Sequence, residues 1–210
     1  MNEKICGLVL SVYRDRTFFK YLPKINPKPD IFIIRNTKPL LAVKDQLQSI
    51  ADGYNKCRLF APDDTTHYWI VEDDCILPTD VLQTLKNDMI KANCDVVTVP
   101  VYNRFAKHLM VWNLQKTIHG ELYKKDIIDK TGLKPVDVSS LNCFLIKKDV
   151  FLSEYFSISN HNKELYVDTL FFARLRKKGF TVYCNFNVRT EHGGLVWFGH
   201  ENEKNSSIGM

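Results

Sequence analysis

Residues 5–12, ICGLVLSV, form an apolar run without alternation. No other feature restricts the possible folds as much. A strand with one solvated face alternates apolar and polar side chains. An unbroken run fits a strand covered on both faces, as in a parallel sheet under helices. Segments 30–35 (DIFIIR), 67–72 (HYWIVE), 95–101 (DVVTVPV) and 141–146 (LNCFLI) follow the same pattern. Leu40, Val43, Leu47 and Ile50 recur at helical spacing, which predicts a helix over 39–51 closed by Asp52-Gly53. Pro78 is expected to open a second helix, with Val81, Leu82, Leu85 and Met89 as its apolar face. Asn162 caps a third over 163–178, ended by Gly179. Short strands are expected at 57–61, 180–184 and 188–190, while 102–140 shows no clean period. The succession of elements predicts an α/β layered fold: a mostly parallel central sheet flanked by helices. A single domain is expected over 1–200, with a polar, flexible tail at 201–210.

A chain of 210 residues supports one sizeable core. Hydrophobic residues at 45% and charged residues at 25% are ordinary for a globular protein. The formal charge of +5 is a mild excess. Arg174, Arg176, Lys177 and Lys178 fit the end of a helix, where cations are favourable, and no broad basic stripe with interleaved aromatics points to nucleic acid. No apolar run approaches a membrane-spanning length, and the first fifteen residues lack a signal peptide's apolar core and small-residue cleavage site. A soluble cytoplasmic protein is expected, compatible with peripheral membrane association. The six cysteines contain no C-x-x-C pair and lie mostly in apolar stretches. They read as reduced thiols, although their even number leaves disulfides open.

The stretch HYWIVEDDCILPTDVL puts Glu72, Asp73 and Asp74 at the end of an apolar strand. Residues two apart on a strand share a side, so Glu72 and Asp74 are expected to face together and Asp73 away. Two carboxylates facing one cleft repel unless a cation sits between them, and a hard divalent ion is the usual answer. The alternative is a solvated turn. Open α/β sheets bind ligands at the carboxyl ends of their strands, where this cluster would lie.

The arrangement resembles the D-x-D signature of glycosyltransferases with the GT-A fold, in particular the inverting, nucleotide-sugar-dependent family 2. The matching text is WIVEDDCILPTDVL, with Glu72 in the place of the first aspartate. Upstream, LVLSVYRD resembles the family's first strand and turn, Asn36 follows the second strand where the family places an aspartate, and Asn55 lies at a matching distance before the acidic motif. Downstream, Asp168 in NKELYVDTLFFARLRKKG matches the family's catalytic base, and His192 in VRTEHGG matches its metal-ligating histidine. The resemblance covers most of the chain, from about residue 5 to 200.

The resemblance implies a single GT-A-like domain that moves a sugar from a nucleotide-diphosphate donor to an acceptor hydroxyl, with inversion. It implies Glu72, Asp74 and His192 as ligands of Mn²⁺ or Mg²⁺. Ser11, Tyr13, Arg14, Asn36, Asn55, Glu72 and Asp73 would contact the donor, and Asp168 would be the base. The acceptor, whether glycan, lipid or protein, is not indicated. Trp112, Trp197 and Phe198 are candidates for stacking on a sugar, with core packing as the plainer role for tryptophan. Two alternatives stay open: a non-catalytic module binding nucleotide sugars or glycans, and a sugar-nucleotide nucleotidyltransferase. The second would bring a glycine-rich loop after the first strand, and VYRDRTFF has no glycine. A nicotinamide site, a P-loop and a G-x-S-x-G elbow all lack their motifs.

Overall fold

A computed structural model describes residues 3–11, 20–36, 43–103, 108–116, 122–127, 130–158, 167–192 and 195–197. In chain order its elements are β1 (Ile5–Ser11), β2 (Ile31–Asn36), α1 (Val43–Cys57), β3 (His67–Glu72), β4 (Cys75–Ile76), α2 (Val81–Ala92), β5 (Val96–Thr98), β6 (Val111–Lys116), β7 (Leu122–Asp126), β8 (Leu133–Pro135), β9 (Val138–Ser139), β10 (Cys143–Lys147), α3 (Lys148–Leu152), α4 (Val167–Lys177), β11 (Val182–Asn185), β12 (Thr190–His192) and β13 (Leu195–Trp197).

The main sheet has the order β2-β1-β3-β10-β5-β11-β8. Its period-two alternation sends side chains to two separate cores. On one face Cys6, Leu8, Tyr68 and Ile70 pack with Ala51 and Tyr54 of α1 and with Phe171 and Phe172 of α4. On the other, Ile5, Val9, Trp69 and Val71 pack with Val81, Leu82 and Leu85 of α2. The unbroken apolar runs are thus explained, because both faces of these strands are covered. Phe171 anchors the first core: its ring stacks on Phe156 with centroids 4.2 Å apart and meets Phe144, Phe151 and Phe172 at tilted or edge-on angles.

The fold is mixed α/β, and the expectation of a mostly parallel sheet is corrected. Three pairings are parallel, β1 with β2, β1 with β3 and β5 with β11. Three are antiparallel, because β10 runs against both β3 and β5, and β8 against β11. The five strands β1, β2, β3, β5 and β11 therefore share a direction, and β10 is the reversed strand in the centre. An apolar run shows that both faces are covered, but carries no information on direction.

Several boundaries also move. The first helix runs through Asp52-Gly53 to Cys57, because Ala51, Tyr54 and Cys57 continue its buried face and offset the roughly 1 kcal/mol cost of an interior glycine. Residues 57–61, expected as a strand, hold the end of that helix and a 3₁₀ turn at Arg58–Phe60. The second helix begins at Val81, after a turn in which the Val81 amide donates to the Pro78 carbonyl at 3.2 Å. The third is described from Val167, so its expected cap, Asn162, lies outside the described residues. Segment 102–140 is more ordered than its sequence suggested: β6 pairs with both β7 and β9 in a small antiparallel sheet. The strand expected at 188–190 instead spans Thr190–His192. Residues 201–210 lie outside the described residues.

All six cysteines are free and buried, as small hydrophobes would be. Among the described residues, no helix is long and apolar enough to cross a membrane.

Asp95 ties three strand ends together. Its carboxylate accepts the Thr181 amide at 2.9 Å, the Thr181 hydroxyl at 3.0 Å and the Lys147 ammonium at 2.9 Å. Burial pushes its carboxyl up, but the Thr181 amide, the Lys147 ammonium and the Thr181 hydroxyl outweigh burial and hold it below its ordinary value of 3.8. A carboxyl depressed in the folded state stabilises fully above its unfolded value, and that stability is lost as pH falls through the folded one. Wild-type melting temperature is therefore expected to fall more steeply below about pH 4 than that of Asp95→Asn, as read by thermal unfolding across an acid series.

Candidate functional site

The ends of β1, β2 and β3 form one edge of the main sheet. Ser11 is the register partner of Asn36, and Leu10 that of Glu72. The chain leaves β1 for β2 on one side, then crosses back to β3 on the other. The strand order thus switches at β1 and β3, and such a switch opens a crevice at the carboxyl edge. The acidic stretch lies at its mouth. The side chains of Ser11 and Asn36, and the whole of Tyr13 and Arg14, lie outside the described set.

The extended geometry stops at Glu72. Asp73 and Asp74 form a turn, and Cys75-Ile76 begins β4. Both carboxylates, Glu72 and Asp74, act on His192 and Cys75, and each also has a neighbour of its own. Glu72 is clasped by Asn142, just before β10: the Glu72 amide donates to the Asn142 carbonyl at 2.9 Å, and the Asn142 side-chain amide donates to the Glu72 carboxylate. Asn142 is only 2% exposed, so this amide is a built-in orienting group. Asp73 is turned into the protein and is 4% exposed.

Asp74 instead meets His192. Strand β12 pairs with β4, placing His192 opposite Cys75. The Asp74 carboxylate lies 3.2 Å from His192 Nε2, and His192 Nδ1 lies 2.7 Å from the Tyr102 carbonyl oxygen. A carbonyl only accepts, so Nδ1 carries a hydrogen and donates it. That leaves Nε2 two ways to face a carboxylate. It can carry a second proton as imidazolium, or present its lone pair to a cation shared with Asp74. The histidine is 6% exposed. Burial alone would push its imidazole down, but the hydrogen bond and charge of Asp74, with the Tyr102 carbonyl and Glu72, raise it above the ordinary value. The pocket favours positive charge between these two side chains, and a second group holding the far nitrogen is the arrangement that aims a ligating histidine.

The donor atoms of Asp74, Cys75 and His192 all lie within 4.8 Å of one another. Asp74 and His192 of the expected set come together here with Cys75 beside them, and the Glu72 charge acts on both His192 and Cys75. Cys75 was read only as a small hydrophobe. The missing signal is the β4·β12 pairing, which brings residues more than a hundred apart face to face. Burial pushes the Cys75 thiol well up, and the nearby Asp74 and Glu72 carboxylates add to this.

Asp168 stands in the first turn of α4, half-buried, with its carboxylate accepting the Thr169 amide at 2.6 Å. Helix α4 leads into the start of β11, which runs with β5, so the first turn of α4 points to the same sheet edge as Glu72 and Asp74. Asn55 does not join them. It lies in the last turn of α1, towards the edge where β3 begins. Its amide exchanges hydrogen bonds with the backbone of Phe156, at 2.8 and 3.0 Å. Both side-chain polar atoms are thereby engaged in joining α1 to the segment after α3, in place of the expected donor contact. Trp197 is buried and donates to the Phe186 carbonyl at 3.0 Å, and Trp112 is buried against the first core. Both take core positions. Phe198 lies outside the described residues.

These features define a mixed α/β protein with a cluster of metal-ligand type at the carboxyl edge of its main sheet. Among 209 matching solved chains, the crystal structure of A197 from STIV aligns with a TM-score of 0.58 at 16% identity, covering 90% of this chain and 85% of that one. At that identity the likeness is one of fold. No protein-family model and no curated protein matches the chain.

Proposed function

We propose that the protein is a metal-dependent glycosyltransferase of the GT-A type, moving a sugar from a nucleotide-diphosphate sugar to an acceptor hydroxyl with inversion. One observation carries the reading. His192, with Nδ1 committed to the Tyr102 carbonyl, turns Nε2 to the Asp74 carboxylate at 3.2 Å, at the carboxyl edge where the strand order switches. Two electron-rich atoms so placed suit a shared cation. The Asp74 oxygen and His192 nitrogen fit Mn²⁺, which accepts imidazole, better than Mg²⁺, which prefers an all-oxygen shell. A bound divalent cation would neutralise the diphosphate leaving group.

The chain's own residues supply the rest. Ser11 and Asn36, register partners at adjacent strand ends, would contact the base and ribose together with Tyr13 and Arg14. Glu72, oriented by Asn142, borders the donor. Asp168 accepts the proton of the acceptor hydroxyl as that oxygen attacks the anomeric carbon. The acceptor is left undefined.

A thermal-shift screen of nucleotide-diphosphate sugars with and without Mn²⁺ tests this reading. A true donor at a hundred times its dissociation constant stabilises by about 2.7 kcal/mol, and the shift should require the cation. If no donor shifts the transition under either condition, the reading is wrong.

A further inference from the structure

We propose that Cys75 is a third ligand of the cation site, so that the centre holds Mn²⁺ but binds a more thiophilic divalent ion such as Zn²⁺ or Co²⁺ more tightly, through a carboxylate oxygen, a sulfur and an imidazole nitrogen. This rests on the cation site proposed above and assigns its ligand set and metal preference. Three observations carry it. The oxygen, sulfur and nitrogen donor atoms of Asp74, Cys75 and His192 lie within 4.8 Å of one another. Metal–sulfur distances near 2.3 Å and metal–nitrogen or –oxygen distances near 2.0–2.2 Å set the ligand atoms of a tetrahedral site about 3.5 Å apart, so these side chains need to close by no more than about 1 Å. Second, the group is built on strand pairing. Cys75 and His192 are register partners in β4 and β12, so the β-ladder sets their spacing. Third, the imidazole is already held from behind by the Tyr102 carbonyl at 2.7 Å.

Sulfur alters the selectivity. Carboxylate and carbonyl oxygens suit Mg²⁺ and Mn²⁺, whereas thiolate with imidazole suits Zn²⁺ and Co²⁺. Binding breaks the Cys75 S–H bond. The proton leaves to solvent and the sulfur electron pair goes to the metal, with no change of oxidation state. Cys75 is fully buried, which disfavours a free thiolate, and the metal supplies the compensating charge.

Cobalt titration of the full chain, followed by absorption spectroscopy, tests the assignment. The expected result is a thiolate-to-cobalt charge-transfer band in the near ultraviolet beside the visible ligand-field bands. Cys75→Ala should remove the first, keep the second, and weaken Zn²⁺ binding by at least about tenfold, the loss that changes around a ligand set can cause. Ligand-field bands without the charge-transfer band would overturn the Cys75 assignment and leave the proposed cation site standing. No cobalt binding would overturn both. If Cys75→Ala fails to fold, X-ray absorption of the zinc-loaded wild type decides. A sulfur scatterer at about 2.3 Å supports the proposal, and a shell of oxygen and nitrogen alone removes it.

Discussion

Asp74→Asn is expected to abolish the cation dependence of diphosphate binding while leaving the fold intact. The substitution keeps the shape of the side chain and removes its charge. The asparagine amide can still donate to His192 Nε2, so the buried imidazole keeps a partner on each nitrogen, with Nδ1 donating to Tyr102 as before. What disappears is one anionic ligand and the chief attraction raising the His192 imidazole. Two readouts follow. In calorimetry with Mn²⁺, a nucleoside diphosphate should bind the variant no better than in a chelator. In an NMR titration without metal, the His192 midpoint should drop from its raised position, because burial is then less opposed. Undiminished Mn²⁺-dependent affinity would remove Asp74 from the cation site.

Asp168→Asn should leave donor binding unchanged and lower the transfer rate by about 10²–10⁴-fold, the usual contribution of a positioned general base. The local structure predicts a clean variant. The Asp168 carboxylate accepts the Thr169 amide at 2.6 Å, and the asparagine oxygen can accept the same hydrogen. Loss of a negative charge in the first helical turn costs only about 0.3–1 kcal/mol. An effect on turnover without an effect on donor affinity is therefore the signature of lost proton abstraction. Full transfer activity in the variant would exclude Asp168 as the base and leave the donor site untouched.

The sequence carried the layers of this fold better than its strand directions. The runs around Val9, Ile70 and Val97 announce strands covered on both faces, and that is their place in the sheet. Nothing in LNCFLI distinguishes a reversed strand from a co-directional one, so the antiparallel setting of β10 was illegible. Helix α1 exceeded its expected end because the buried face of Ala51, Tyr54 and Cys57 prevails over the local signal of Asp52-Gly53. The acidic stretch sits at a strand end as expected. The strand stops at Glu72 and the chain turns at Asp73-Asp74, so strand alternation does not govern the rest of the stretch. Asn142 and Cys75 passed unnoticed for the same reason: their importance comes from β10 and β12, strands distant in sequence that dock beside the turn. Asn55 misled in the opposite sense, since its spacing suited a donor contact while its amide in fact clasps the Phe156 backbone.

The central claim is that the carboxyl edge of the sheet supports sugar transfer from a nucleotide-diphosphate donor. Release of nucleoside diphosphate from the donor that best stabilises the protein tests it most directly, with wild type and Asp74→Asn compared in Mn²⁺ and in a chelator. The account predicts Mn²⁺-dependent release by the wild type and none in the chelator or from the variant. Donor that binds with Mn²⁺ yet stays intact in the presence of every acceptor class would contradict it and identify a binding module instead.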